Sequence, residues 1–216
     1  MTRIAAVATA LLLGTSATTS RANPPPVPAA VRRALTAATV LVLPAECGGV
    51  LAASRDLVAT ALHCVDRDAA LRVRTSGGSV LRARLEATDA AADQAILLLE
   101  RPAAAEPLAV LRRPPIVGTV LYFQGNPERP RPQDARIDRR GRCESLPRLP
   151  DALFTSIRGE PGDSGSPLVD GASRIVGLVH GGARCQIATP ATRLAPLIDQ
   201  VLGRETSSSS RPSTAS

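Results

Sequence analysis

Residues 162–167 read Gly162-Asp163-Ser164-Gly165-Ser166-Pro167. A serine hydroxyl sits in a turn bracketed by glycines, and an acidic residue stands immediately before it. That arrangement suits a nucleophile whose neighbouring backbone N–H groups converge on one spot, where they hold the oxygen of a tetrahedral intermediate. The motif acquires meaning only if a base and an orienting acid lie elsewhere in the chain.

The base has few candidates. There are two histidines, His63 and His180, and imidazole is the side chain whose ordinary pKa suits proton transfer near neutrality. His63 closes the segment Ala59-Thr60-Ala61-Leu62-His63-Cys64 at a strand end, where Cys64 anchors the adjacent backbone. Cys47-Gly48-Gly49-Val50-Leu51 lies one hairpin upstream. The four cysteines allow three pairings. One of them, Cys47–Cys64, would close a loop of about 18 residues, worth about 3 kcal/mol in the chain-entropy model, and would hold His63 in place. For the acid, Asp89 and Asp93 compete, and only Asp93 directly precedes the buried run Ala95–Leu99.

The surrounding pattern is that of short strands. Residues 39–43, 49–53, 57–62, 71–74, 81–85 and 95–99 alternate or run apolar at strand length. A Pro/Ala-rich break over 102–115 separates two halves. Residues 116–123, 153–157, 167–169 and 175–179 supply strands to the second half, and 192–202 has helical spacing. Residues 124–150 read as a long Pro/Arg loop. The expectation is an all-β protein in two halves. With 44% hydrophobic and 1% aromatic residues, its core is built from Ala, Val, Leu and Ile.

All 26 basic residues are arginine, and the formal net charge is +7. The densest basic run is Arg129, Arg131, Arg136, Arg139, Arg140, Arg142 and Arg148. It reads as a solvated loop. Without aromatics to stack on bases, a nucleic-acid partner is not expected. At the amino end, Arg3 precedes an apolar stretch over 4–13 and then small residues. This is the layout of a secretory signal peptide over 1–22, too short to be a resident membrane helix. The mature chain is expected to be secreted or periplasmic, where disulfides persist, with no membrane span.

Four segments together resemble the chymotrypsin-like (trypsin-fold) serine proteases, in their secreted bacterial branch. These are Cys47-Gly-Gly-Val-Leu51, Thr60-Ala-Leu-His-Cys64, Asp93-Gln-Ala-Ile-Leu97 and Glu160-Pro-Gly-Asp-Ser-Gly-Ser-Pro167. The order His, Asp, Ser is that of chymotrypsin and not of subtilisins, and the serine motif is not a nucleophile elbow. The stretch Gly118–Pro127 is similar to the strand that opens the family's second barrel. The resemblance spans roughly residues 37–203.

The resemblance implies two six-stranded antiparallel β-barrels with a C-terminal helix and a site in the cleft between them. The implied organisation is an irregular segment over 23–36, barrels over 37–112 and 113–204, and a disordered tail over 205–216. His63, Asp93 and Ser164 would form the triad, and the N–H groups of Gly162 and Ser164 the oxyanion hole. Arg158 would floor the pocket for the residue before the cut bond, with His180, Gly181 and Gly182 on its wall. Arg158 and His180 would favour an acidic side chain there. Asp163 would be buried against a cation. No Ile/Val-Val-Gly-Gly start is present to supply a freed N-terminus, so an arginine takes that place. With Cys47 and Cys64 joined, Cys143 and Cys185 remain as the second pair. The expected protein is a monomeric serine endopeptidase with a polypeptide substrate and neither cofactor nor metal. The alternative is a protease-fold binding protein without turnover.

Overall fold

The computed structural model describes residues 27–65, 70–182 and 185–209. The expected leader over 1–22 and the tail residues 210–216 lie outside the described residues.

Twelve strands close into two antiparallel barrels. The first comprises β1 (Thr39–Leu43), β2 (Cys47–Leu51), β3 (Leu57–Ala61), β4 (Arg72–Arg74), β5 (Val80–Asp89) and β6 (Gln94–Leu99), in the spatial order β1-β2-β3-β6-β5-β4. The second comprises β7 (Val120–Phe123), β8 (Gln133–Gly141), β9 (Ala152–Thr155), β10 (Pro167–Val169), β11 (Ile175–Gly182) and β12 (Cys185–Pro190), in the order β10-β11-β12-β9-β8-β7. This is the chymotrypsin-like fold. The largest fully buried side chains are aliphatic apart from Phe123, as the composition requires.

The chain crosses between barrels over two residues. Leu108 bridges to Ala52 of the first barrel, and Val110 bridges to Ile175 of the second. The crossing thus falls inside the Pro/Ala-rich break.

Three stretches depart from the sequence reading. The segment expected to be irregular before the first barrel contains helix α1 (Ala29–Ala38). Its Val31, Leu35 and Ala38 fall on one face at helical spacing and are buried, and Arg32 N–H opens the ladder on Pro28 O. The prolines upstream obscured a helix whose only strong signal is three apolar residues among alanines. The Pro/Arg stretch contains β8, which shows the core only Ala135 and Ile137 between exposed charges. Two inward side chains among arginines give a weak period-two signal. The terminal helix α2 (Ala191–Ser209) is longer than expected and includes residues 205–209 of the presumed tail. Gly203 weakens a helix without ending it, and no proline follows before Pro212.

α2 lies against β5 and β6 of the first barrel and β11 of the second. Arg112 grips Asp199 of this helix through two bonds of 2.7 Å. At the other end of the chain, α1 is tied to the second barrel, since Gln124 donates to Leu35 O and accepts from Thr36 Oγ1. Both helices therefore brace the two barrels against each other.

Candidate active site

The register of the first barrel brings its histidine and its acid together. β3 pairs with β6 so that Ala61 faces Gln94. The residues just beyond that pair, the turn η1 (Leu62–Cys64) and Asp93, must meet. Leu62 N–H donates to Asp93 O at 3.0 Å, and His63 N–H donates to Asp93 Oδ1 at 2.9 Å. Asp93 takes φ +52°, a conformation that Asp tolerates better than most residues. Its Oδ2 lies 2.6 Å from His63 Nδ1. Asp89 has other work. It accepts the N–H groups of Ala91 and Ala92 and holds Arg193 of α2 at 2.8 Å.

The same Asp93 Oδ2 lies 2.6 Å from His180 Nδ1 on β11. The two imidazoles meet edge to face, with centroids 5.3 Å apart. Burial alone would raise the Asp93 carboxyl; the donors on His180 and His63 and the charge of His63 outweigh it and bring the carboxyl down to about 2. The ionised carboxylate only accepts, so both Nδ1 atoms carry protons. Neutral His63 then has its lone pair on Nε2, the nitrogen available to a substrate-side proton. The bond to Asp93 raises His63 above 6.5, against a smaller opposing effect of burial.

The serine turn reaches this pair from the second barrel. Ser164 is nearly buried, and its carbonyl oxygen lies 4.0 Å from Cys64 Sγ, next to His63 in the chain. Gly48 N–H of β2 donates to Gly162 O at 3.0 Å. Gly165 takes φ +81°, and a Cβ there would lie 2.3 Å from Gly48 O and 2.4 Å from Thr60 Oγ1. Only glycine permits that approach. Within the turn, the N–H groups of Asp163, Gly165 and Ser166 donate to Glu160 O, Val179 O and Asp163 O. Those of Gly162 and Ser164 have no partner among the described residues. No hydrogen bond joins Ser164 Oγ to His63 among the described residues; such bonds are commonly long before substrate binds.

Asp163 has three supports. Asn126 N–H donates to Oδ1 at 2.8 Å, Glu160 N–H donates to Oδ2 at 2.6 Å, and Arg131 pairs with Oδ2. The cation expected from among the arginines is Arg131. It also reaches Glu160 Oε1 and the carbonyl of Arg158, each at 3.1 Å. The basic run is accordingly no plain solvated loop. Arg139 covers the Phe154 ring, and Arg140 pairs with Asp151. Asn126 went unnamed in the sequence reading, although its side chain also donates to Glu46 O and Gly162 O. Its one signal was its place within the Gly118–Pro127 stretch.

Arg158 is exposed. Its backbone is fixed, since its N–H donates to Gln133 Oε1 and its carbonyl accepts from Gln133 Nε2 and Arg131. Gly181 and Gly182 follow His180 on β11 and pair with Gln186 and Cys185. The sequence reading set His180 on the pocket wall, and the structure adds Asp93 as its partner. Ser166 fits because Gly48 opposite it has no side chain; its hydroxyl is buried with no hydrogen-bond partner among the described residues. Both disulfides are present, Cys47–Cys64 and Cys143–Cys185. The second ties the Arg-rich segment to the start of β12.

Two closed barrels, with an acid-bound imidazole in one and a glycine-bracketed serine turn of the other packed beside it, define a protein of the serine protease fold. A family model for the trypsin-like peptidase domain matches residues 47–178, and the chain belongs to that family. Among solved structures, it is similar to Rv3671c from M. tuberculosis H37Rv, crystallised as a serine-to-alanine mutant in an inactive form. The TM-score is 0.66 and the identity 24%, over 84% of this chain and 96% of that chain. No match is found among curated proteins. Family membership implies a polypeptide substrate. No helix among the described residues is long and apolar enough to cross a membrane.

Proposed function

We propose that the protein is an exported serine endopeptidase that works through an acyl-enzyme. Ser164 attacks the scissile carbonyl. His63 Nε2 takes the Ser164 proton and returns it to the leaving amine. Asp93 holds the tautomer and stabilises the imidazolium. The free N–H groups of Gly162 and Ser164 receive the oxyanion, where a single donor contributes about 3 kcal/mol in other enzymes. The observation that carries the reading is the 2.6 Å His63–Asp93 bond, set beside a serine turn with two N–H groups that have no partner among the described residues. The leader over 1–22 and the two disulfides support export. The division at 112/113 into two half-domains and a monomeric state belong to the same reading.

The test is labelling by a fluorophosphonate. The mature protein is expected to label, and Ser164→Ala to lose all labelling. No labelling of the unaltered protein would support the alternative, a binding protein that retains the fold without turnover.

The pocket reading is that Arg158, with His180, Gly181 and Gly182, borders the site for the residue before the cut bond. The exposed guanidinium of Arg158 supports a preference for Glu or Asp there. A peptide library is expected to be cut after acidic residues, and Arg158→Ala to lower kcat/KM for them about tenfold or more. Cleavage confined to small apolar residues would reject it.

A further inference from the structure

We infer that His180 is a positioning residue that ties the acid of one barrel to the barrel carrying the nucleophile. The inference rests on the protease reading above and adds a role to a residue which that reading places only on the pocket wall. Asp93 and His63 belong to the first barrel, at the junction of β3 and β6. Ser164 belongs to the second, in the turn before β10. The bond from His180 Nδ1 to Asp93 Oδ2, at 2.6 Å, crosses between them. Its neighbour Gln94 makes a parallel crossing, donating to Thr189 Oγ1 at 2.8 Å and to Pro190 O at 3.1 Å. The start of β6 is thus fastened to β11 and β12 side by side.

The bond has an electrostatic effect as well. One carboxylate oxygen serves two imidazole N–H groups, so His63 receives only part of its negative charge. The titratable groups facing His180 are Asp93, from the turn before β6, and His63, from η1. Its cross-strand partner on β12 is the apolar Ile187. Removing the His180 donor leaves Asp93 to act on His63 alone, which favours the imidazolium and moves His63 titration to higher pH. His180 therefore keeps the base free at lower pH than a lone His63–Asp93 pair would.

Two variants separate donor from ring. His180→Phe keeps a ring against His63 and removes the donor. His180→Asn keeps an N–H near the Nδ1 position and removes the ring. In a Ser164→Ala background, His63 is titrated by NMR. His180→Phe is expected to raise its pKa by about half a unit or more, and His180→Asn to leave it near the parent value. With Ser164 restored, His180→Phe is expected to lower kcat by about 10- to 100-fold, with KM within about twofold and the acid limb of kcat/KM displaced upward. His180→Asn should recover most of both. An unmoved His63 titration in His180→Phe, or the same shift in both variants, overturns the inference. The titration needs no turnover. A chain inert to the fluorophosphonate that shows the shift refutes the protease reading alone, and a reactive chain without it refutes this inference alone.

Discussion

Arg131→Ala is expected to cut the rate of fluorophosphonate labelling of Ser164 by about 10³-fold while both barrels stay assembled. Asp163 is buried, and Arg131 is its one cationic partner among the described residues. Removing one member of such a pair leaves an uncompensated charge inside the protein, at about 3–5 kcal/mol. The upper part of that range is excessive here, because the Arg131 side chain is 29% exposed and solvent reaches one side of the pair. The turn can relieve the penalty by swinging Asp163 outward. The same turn carries Gly162 and Ser164, so relief is obtained by scattering the two N–H groups that would receive the oxyanion. Losing one such donor costs about 10²–10³ in rate, and here both move. Arg131→Lys retains charge but not the fork that reaches Asp163, Glu160 and the Arg158 carbonyl together, so it should recover only part of the rate. Adding Asp163→Asn to Arg131→Ala removes the stranded charge and should label faster than Arg131→Ala alone. Equal rates in those two would show that charge burial is not the cause.

Asp93→Asn is expected to lower kcat by about 10⁴-fold. An amide at this position presents an N–H to His63, which turns the imidazole lone pair toward Nδ1 and places the proton on Nε2, where the base should be. Stability carries a pH signature too. The folded carboxyl titrates at about 2, against 3.8 as its ordinary value. A depressed carboxyl stabilises the fold above its unfolded pKa, and that stabilisation is lost as pH falls through the folded value. The contribution is about 2 kcal/mol, present above roughly pH 4 and gone by about pH 2. Urea unfolding of the two proteins should therefore differ most above pH 4 and converge toward pH 2. A gap that stays constant across that window would show that the Asp93 charge is not what the substitution removes.

Most of the fold was legible because its strands are short apolar runs separated by Gly and Pro. The meeting of His63 with Asp93 was legible because both stand where runs end, His63 after β3 and Asp93 before β6. β8 was hidden because a strand that offers the core only Ala135 and Ile137 between charges resembles a polar loop. Arg131 was hidden for the opposite reason. It lies among many arginines of one composition, and nothing local distinguishes the one that reaches a buried carboxylate 32 residues away. The shared oxygen of Asp93 was beyond any local pattern, since His180 is 87 residues from it and arrives on a strand of the other barrel. Local periodicity reports which face of a strand is buried and carries no information about what a strand end will meet across the cleft.

Gly165 has a mechanical consequence. With a hypothetical methyl 2.3 Å from the Gly48 carbonyl and 2.8 Å from Ala61 N, the seam between the barrels has no clearance at the serine. The halves leave no room there for any side chain at position 165. The spacing of the two barrels at the serine is thus set by backbone against backbone, and any larger residue at 165 would have to wedge them apart.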